Sequence, residues 1–362
     1  MSDASGRGRE CTTAALQAWH ARRAPEPALE PGLPIVDAHH HLHGTPPAPQ
    51  YFRREELARA LASSGQRVLG TLYCEAYEAG WRRDGPPEWR SLGEVETIAA
   101  ASAAPLELAH GPCMLAAAIV SHVDLRAGDA VAPILEAHLA AGQGRLRGVR
   151  QQALHDPGRL GQGIHNQPAG LLADARLRAG CAWLQRLGLS FDALVFHHQL
   201  AEVSALADAL PDLTIVLNHL GLPLGVAQYR GHAAEVTALW RAGLRELARR
   251  PNVRVKAGGQ GMLLFGHGCE RQDAPPDAAT LARAWQPAFA FCVETFGAGR
   301  CMLESNFPVD AQSCGYGELW NACKLMTRQF SPDERAALFY RTACQSYRLP
   351  ELEAACDRAA TA

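Results

Sequence analysis

Short apolar runs rich in β-branched residues recur along the chain, separated by longer Ala/Leu/Arg segments whose apolar positions repeat at helical spacing. Ile35–His39, Val68–Cys74, Met114–Ser121, Leu146–Arg150, Ala193–His197, Thr214–His219, Val253–Ala257 and Cys301–Ser305 read as strands. Arg54–Ser63, Ala130–Ala141, Leu171–Leu187, Glu202–Leu210, Ala233–Arg249 and Ala279–Phe296 read as helices. Except for the short gap before Thr214, the spacing leaves room for a helix between strands. That pattern predicts a parallel sheet, because parallel neighbours need a crossover. Eight such units favour a closed α/β fold, the (β/α)8 TIM barrel, over an open doubly wound sheet.

Ahead of the barrel, the amphipathic stretch Thr12–Arg22 and the breaks at Pro25-Glu26-Pro27 and Pro31-Gly32 predict an N-terminal helical arm. The expected division is an arm over 1–32, a barrel over 33–350 and a C-terminal tail over 351–362, with long loops at 76–94 and 266–276 but no second domain.

Composition narrows the class. A length of 362 residues accommodates a barrel of roughly 250 with insertions. Hydrophobic residues make up 48% and charged residues 20%, and no apolar run approaches the roughly 18 residues of a membrane span. A net charge of -2 with scattered Arg gives no basic field for nucleic acid, so a small-molecule substrate is the expected partner. The polar start, Met1 to Glu10, lacks the apolar segment of a secretory signal, which makes a cytoplasmic location the expectation. Eleven cysteines include no C-x-x-C pair, and several sit in apolar runs; they read as reduced core residues. Oligomeric state stays open, a homo-oligomer included.

Polar groups gather at the strand ends, where a barrel places its chemistry. In Asp37-Ala38-His39-His40-His41, period-two alternation puts Asp37, His39 and His41 on one face, so that two imidazoles can share one cation or one substrate carbonyl. His219 ends the sixth apolar run and supplies a third imidazole. Glu304 and Asp310 follow the eighth run, where burying an acid is costly unless it is paired or used. Arg150 ends the fourth and suits a carboxylate or a polarised carbonyl. Alternation sets His197 and Gln199 together after the fifth, and Glu75 closes the second, as a substrate contact or as a partner for an arginine.

The phrases Val36-Asp37-Ala38-His39-His40-His41-Leu42, Arg147-Gly148-Val149-Arg150, Leu217-Asn218-His219-Leu220-Gly221 and Glu304-Ser305-Asn306-Phe307-Pro308-Val309-Asp310 resemble the amidohydrolase-related family. The branch they resemble includes sugar-acid lactonases, sulfomuconolactonase and pyrone-dicarboxylate hydrolase, and the likeness runs from about Leu33 to Tyr347. It implies a (β/α)8 barrel that hydrolyses a cyclic ester or related carbonyl bond, at a site built on His39, His41, His219 and Arg150. Two positions depart from the pattern: Asn306 stands where the family's strand-eight Asp is expected, and Gln151 where a His often follows the strand-four Arg.

The departures bear on metal and base. The only lysines, Lys256 and Lys324, lie far beyond the fourth strand, which argues against the carbamate-bridged binuclear centre of some superfamily members. Two arrangements stay open: one divalent ion, zinc by preference, on His39, His41 and His219 with His197 as a fourth ligand, or a metal-independent site in which the three imidazoles bond the carbonyl oxygen. Because an Asn amide does not titrate usefully, Glu304 is the expected general base, displaced by two residues onto the same face, with Asp310 the more solvent-accessible alternative. Glu75, His197, Gln199 and Asn306 complete the mouth as expected substrate contacts. The expected activity is lactonase-like; a metal-dependent decarboxylase of a small unsaturated or aromatic acid and a catalytically silent binding protein are the rivals.

Overall fold

The computed structural model of the protein describes residues 12–158, 160, 164 and 166–361. Eight strands follow one another round a parallel sheet in chain order: β1 Pro34–His40, β2 Arg67–Cys74, β3 Gly111–Ser121, β4 Leu146–Gln152, β5 Ser190–Leu194, β6 Ile215–Leu217, β7 Val253–Lys256 and β8 Cys301–Met302. The sheet returns on itself beyond β8. Ala38 donates to Leu303 O, Asn306 N to His39 O and His41 N to Phe307 O, bringing the residues after β8 alongside β1. The result is the expected (β/α)8 barrel. A short strand, Leu106–Leu108, pairs antiparallel with the start of β3.

Burial explains why the strand runs are so evenly apolar. Every residue of β1, β5 and β6 is buried, because one face fills the barrel interior and the other lies under helices. The helix capping is local and readable. Asp174 accepts from Arg176 N and Leu177 N and starts the helix Ala175–Arg186, so the predicted helix from Leu171 is a 3-10 turn followed by a separate helix. Asp277 caps Ala278–Phe296 in the same way.

Three strand ends fall short of expectation by more than a residue, one of them β8, which stops at Met302 rather than Ser305. β5 stops at Leu194, and His197–Gln199 form a 3-10 turn, so the alternation that set His197 and Gln199 on one face does not apply. β6 stops at Leu217, and His219 lies in a turn where His219, Leu220 and Leu222 all have positive φ.

The arm carries a helix, Thr13–His20, capped by the Thr12 hydroxyl. The reading of Met1–Glu10 lies outside the described residues. Pro350–Thr361 forms a further helix that buries Leu352 and Cys356. Each of the ten described cysteines is buried and free. Among the described residues, no helix is long and apolar enough to cross a membrane.

Candidate active site

The imidazoles expected to meet do meet. His39 leaves β1 with its Nε2 3.1 Å from His41 Nε2, and the His39 and His219 ring centroids are 4.7 Å apart. His41 Nδ1 donates to Cys74 O at the end of β2. Glu304 spans two of the rings: Oε1 accepts from His219 Nδ1 at 2.8 Å, and Oε2 lies 3.2 Å from His39 Nδ1. His39, His219 and Glu304 each offer a ligand atom within 4.8 Å of the others'.

Burial sets the protonation of this cluster. It holds His39, His41 and His219 well below the ordinary imidazole range; Arg150 presses all three in the same direction, and Lys256 presses His39 and His219. All three rings are therefore neutral, each with one N–H and one lone pair. Burial pushes the Glu304 carboxyl up to about 8, against the opposing pull of Lys256 and Arg150.

Arg150 joins the cluster but is tethered. Its Nε donates to Glu75 Oε1 at 2.6 Å and its Nη2 to Glu75 O at 2.8 Å, leaving Nη1 3.4 Å from His39 Nε2. Glu75 is thus seated on the arginine. Burial raises its carboxyl to about 7 despite that partner.

The remaining expected residues are placed elsewhere. Asp310 is 0% exposed, not the more accessible acid anticipated. Its oxygens accept from Asn306 Nδ2 and Gly261 N, each at 2.8 Å, so it ties the β8 loop to the β7 loop. Asn306 sits at φ 52, a conformation Asn tolerates better than most residues, and its amide serves that tie. Gln199 spends its amide on Phe196 N, His155 N and Ala153 O. The His197 ring packs edge-on against His198 and Tyr229. Asp37 turns to Ser305 N and the Tyr316 hydroxyl, because a register shift between Asp37 and His40 breaks the alternation. His40 packs against Tyr73.

Two groups escaped the sequence reading. Beneath His39, Lys256 Nζ lies 2.8 Å from Asp192 Oδ2 and 3.2 Å from His39 Nδ1, and Asp192 is further held by the Tyr347 hydroxyl and Asn218 Nδ2. The signal was there: Asp192 and Lys256 are charges inside apolar strands, tolerable only when paired. Beside Arg150, the rings of Tyr77, Trp81 and His122 form a contiguous aromatic face, with the Tyr77 hydroxyl 3.1 Å from His122 Nδ1 and His122 Nδ1 3.3 Å from Arg150 O. No sequence pattern marks it, since Tyr77 and Trp81 come from the loop after β2 and His122 from the loop after β3.

The residues suit a single divalent cation. Neutral imidazoles and a carboxylate are the donors such an ion takes, and Glu304 Oε2 has no hydrogen-bond partner among the described residues.

The family model described as Amidohydrolase matches residues 36–349. An L-fucono-1,5-lactonase of Burkholderia multivorans is 33% identical over 248 residues, covering 68% of this chain and 76% of that protein. An uncharacterised protein of Sinorhizobium fredii is 33% identical over 233 residues, 64% of this chain and 69% of its own length. Among solved structures, an amidohydrolase from Burkholderia multivorans with bound zinc superimposes with a TM-score of 0.65 at 25% identity, covering 87% of this chain and 99% of that one. With the barrel and the clustered imidazoles already in place, these matches show that the chain belongs to the amidohydrolase family and is a hydrolase.

Proposed function

We propose that the chain opens a small acidic or polyhydroxylated lactone by attack of water on the ring carbonyl. The observation that carries this reading is the meeting of His39, His41, His219, Arg150 and Glu304 in one buried cluster, in a chain 33% identical to an L-fucono-1,5-lactonase over 248 residues.

Each group has work that its position suits. Glu304 accepts the proton of the attacking water, since the His219 Nδ1–H holds its Oε1 and leaves Oε2 without a partner. His219 is fixed by that bond, which leaves its Nε2 a lone pair able to ligate a cation. Arg150, oriented by Glu75, stabilises the negative charge that develops on the carbonyl oxygen. The Tyr77, Trp81 and His122 face gives the apolar side of a ring a flat surface. A divalent ion would be held by His39 and His219 with His41 beside them, and Glu304 would stand within reach as the base; an ion bound there would supply Lewis-acid polarisation of the carbonyl.

A panel of aldonolactones, L-fucono-1,5-lactone first, tests the reading by proton release and by chromatography of the opened acid. Turnover that depends on Glu304 is expected. Carbon dioxide release from unsaturated or aromatic acids, with no lactone opened, would replace this reading with the decarboxylase one.

A further inference from the structure

His39 is flanked on both nitrogens by a group that donates and a group that accepts. Around Nδ1 stand Lys256 Nζ and Glu304 Oε2, both at 3.2 Å. Around Nε2 stand His41 Nε2 at 3.1 Å and Arg150 Nη1 at 3.4 Å. A neutral imidazole carries one proton, so only one nitrogen can donate.

The neighbour just past β1 narrows the choice. His41 Nδ1 lies 2.9 Å from Cys74 O, a carbonyl that only accepts, so His41 bears its proton there and turns a lone pair toward His39. If His39 were protonated on Nδ1, two lone pairs would face each other across 3.1 Å. If it is protonated on Nε2, that N–H donates to His41, and Nδ1 is free to accept from Lys256. Lys256 is salt-bridged to Asp192, which makes it an ammonium with three donors and no acceptor. The chain of bonds then runs unbroken from Lys256 through His39 and His41 to Cys74 O. Two contacts oppose it: Arg150 Nη1, the longest of the four, and Glu304 Oε2, an acceptor that faces the Nδ1 lone pair at 3.2 Å.

The other tautomer has a use. With the proton on Nδ1, His39 donates to Glu304 Oε2, and the lone pairs of His39 and His41 converge on whatever lies between them. Facing lone pairs are tolerable only with a cation in the gap. Lys256 works against that state twice, by claiming Nδ1 as an acceptor and by adding a positive charge beside it.

We propose that Lys256 is a positioning residue that holds His39 in the Nε2–H tautomer, and so sets how readily the strand-one histidine pair takes a divalent cation. Asp192, Tyr347 and Asn218 hold the lysine in place. The inference concerns the site used in the lactonase reading, but its test needs no substrate, so either can fail alone.

The test is nitrogen NMR of histidine-labelled, metal-stripped protein, with His39 assigned by loss of its signals in His39→Asn. The expected wild-type spectrum shows His39 protonated on Nε2; protonation on Nδ1 would overturn the proposal. Lys256→Met should move the proton to Nδ1 and tighten zinc binding, read by competition with a chromogenic chelator, by roughly 10- to 100-fold, the range typical of changes to groups behind a metal ligand. Because Lys256→Met leaves Asp192 buried without its cation, the pair Lys256→Met/Asp192→Asn is measured alongside it. Folded variants that keep both the wild-type tautomer and the wild-type zinc affinity would sink the idea. Should neither variant fold, the wild-type spectrum decides alone.

Discussion

Glu304 and Arg150 carry opposite duties in one buried cluster, and their surroundings separate them. A base must be ionised to act, and burial has pushed the Glu304 carboxyl up to about 8. On the lactonase reading kcat/KM should therefore fall as the pH drops below that value, because the base is then protonated; the neutral imidazoles add no ionisation in that range. Glu304→Gln should lose about 10²- to 10⁴-fold in kcat while remaining folded by circular dichroism, and its acidic limb should move down toward the ionisation of Glu75, which burial raises to about 7. A retained limb with full activity would assign the proton to another group. Arg150→Met should lose roughly 10²- to 10³-fold in kcat/KM. Arg150→Lys should recover little of it, because an ammonium cannot reproduce the fork that engages Glu75 through Nε and Nη2 together.

The loops after β6 and β7 position the histidine and the acid through backbone shape. Gly259 has φ 71, and a Cβ there would lie 2.5 Å from His219 Nδ1, the atom that bonds Glu304. Gly259→Ala should consequently displace the His219 ring and lower kcat more than it lowers stability, as read by turnover set against thermal unfolding. Full activity in that variant would show that the ring is not held by this contact. Such shape is what the sequence concealed. Apolar runs located all eight strands, and the order of polar residues at their ends identified the three imidazoles, Arg150 and Glu304. Period-two reasoning failed wherever the strand had already ended, at His197 and Gln199 in their 3-10 turn and at Asn306 with its positive φ. The helix Tyr316–Met326 also went unread, since it is buried on nearly every side and its polar stripe of Glu318, Asn321 and Lys324 is spent on the arm. Lys256 and Asp192 were visible as letters, but their partners come from β1, β6 and the C-terminal helices, and no window along the chain joins them.

At the scale of the molecule, the arm is strapped across the barrel's outer helices by a few specific bonds. Asn321 accepts from Leu29 N and donates to Pro27 O, while Lys324 Nζ donates to Leu29 O and Glu30 O. Between the arm and the barrel lies a cavity of about 980 Å³ bordered by His20, Tyr51, Phe52, Phe307 and Tyr316. Trp19 anchors the near end: it is 1% exposed, and its indole Nε1 donates to Gln272 O. Replacing it with Ala removes a large buried side chain and leaves a carbonyl without its donor. Substitutions of that kind cost about 3–5 kcal/mol where the surroundings cannot collapse. Trp19→Ala should therefore lower the urea midpoint of unfolding. If the arm folds as one unit with the barrel, the transition stays single and the loss appears in full; if it opens locally, early proteolysis within the arm precedes the main transition. In either case kcat/KM on a lactone should hold at temperatures where the protein stays folded, since the indole touches none of the groups around His39. An unchanged midpoint together with unchanged protease resistance would mean that Trp19 does not anchor the arm.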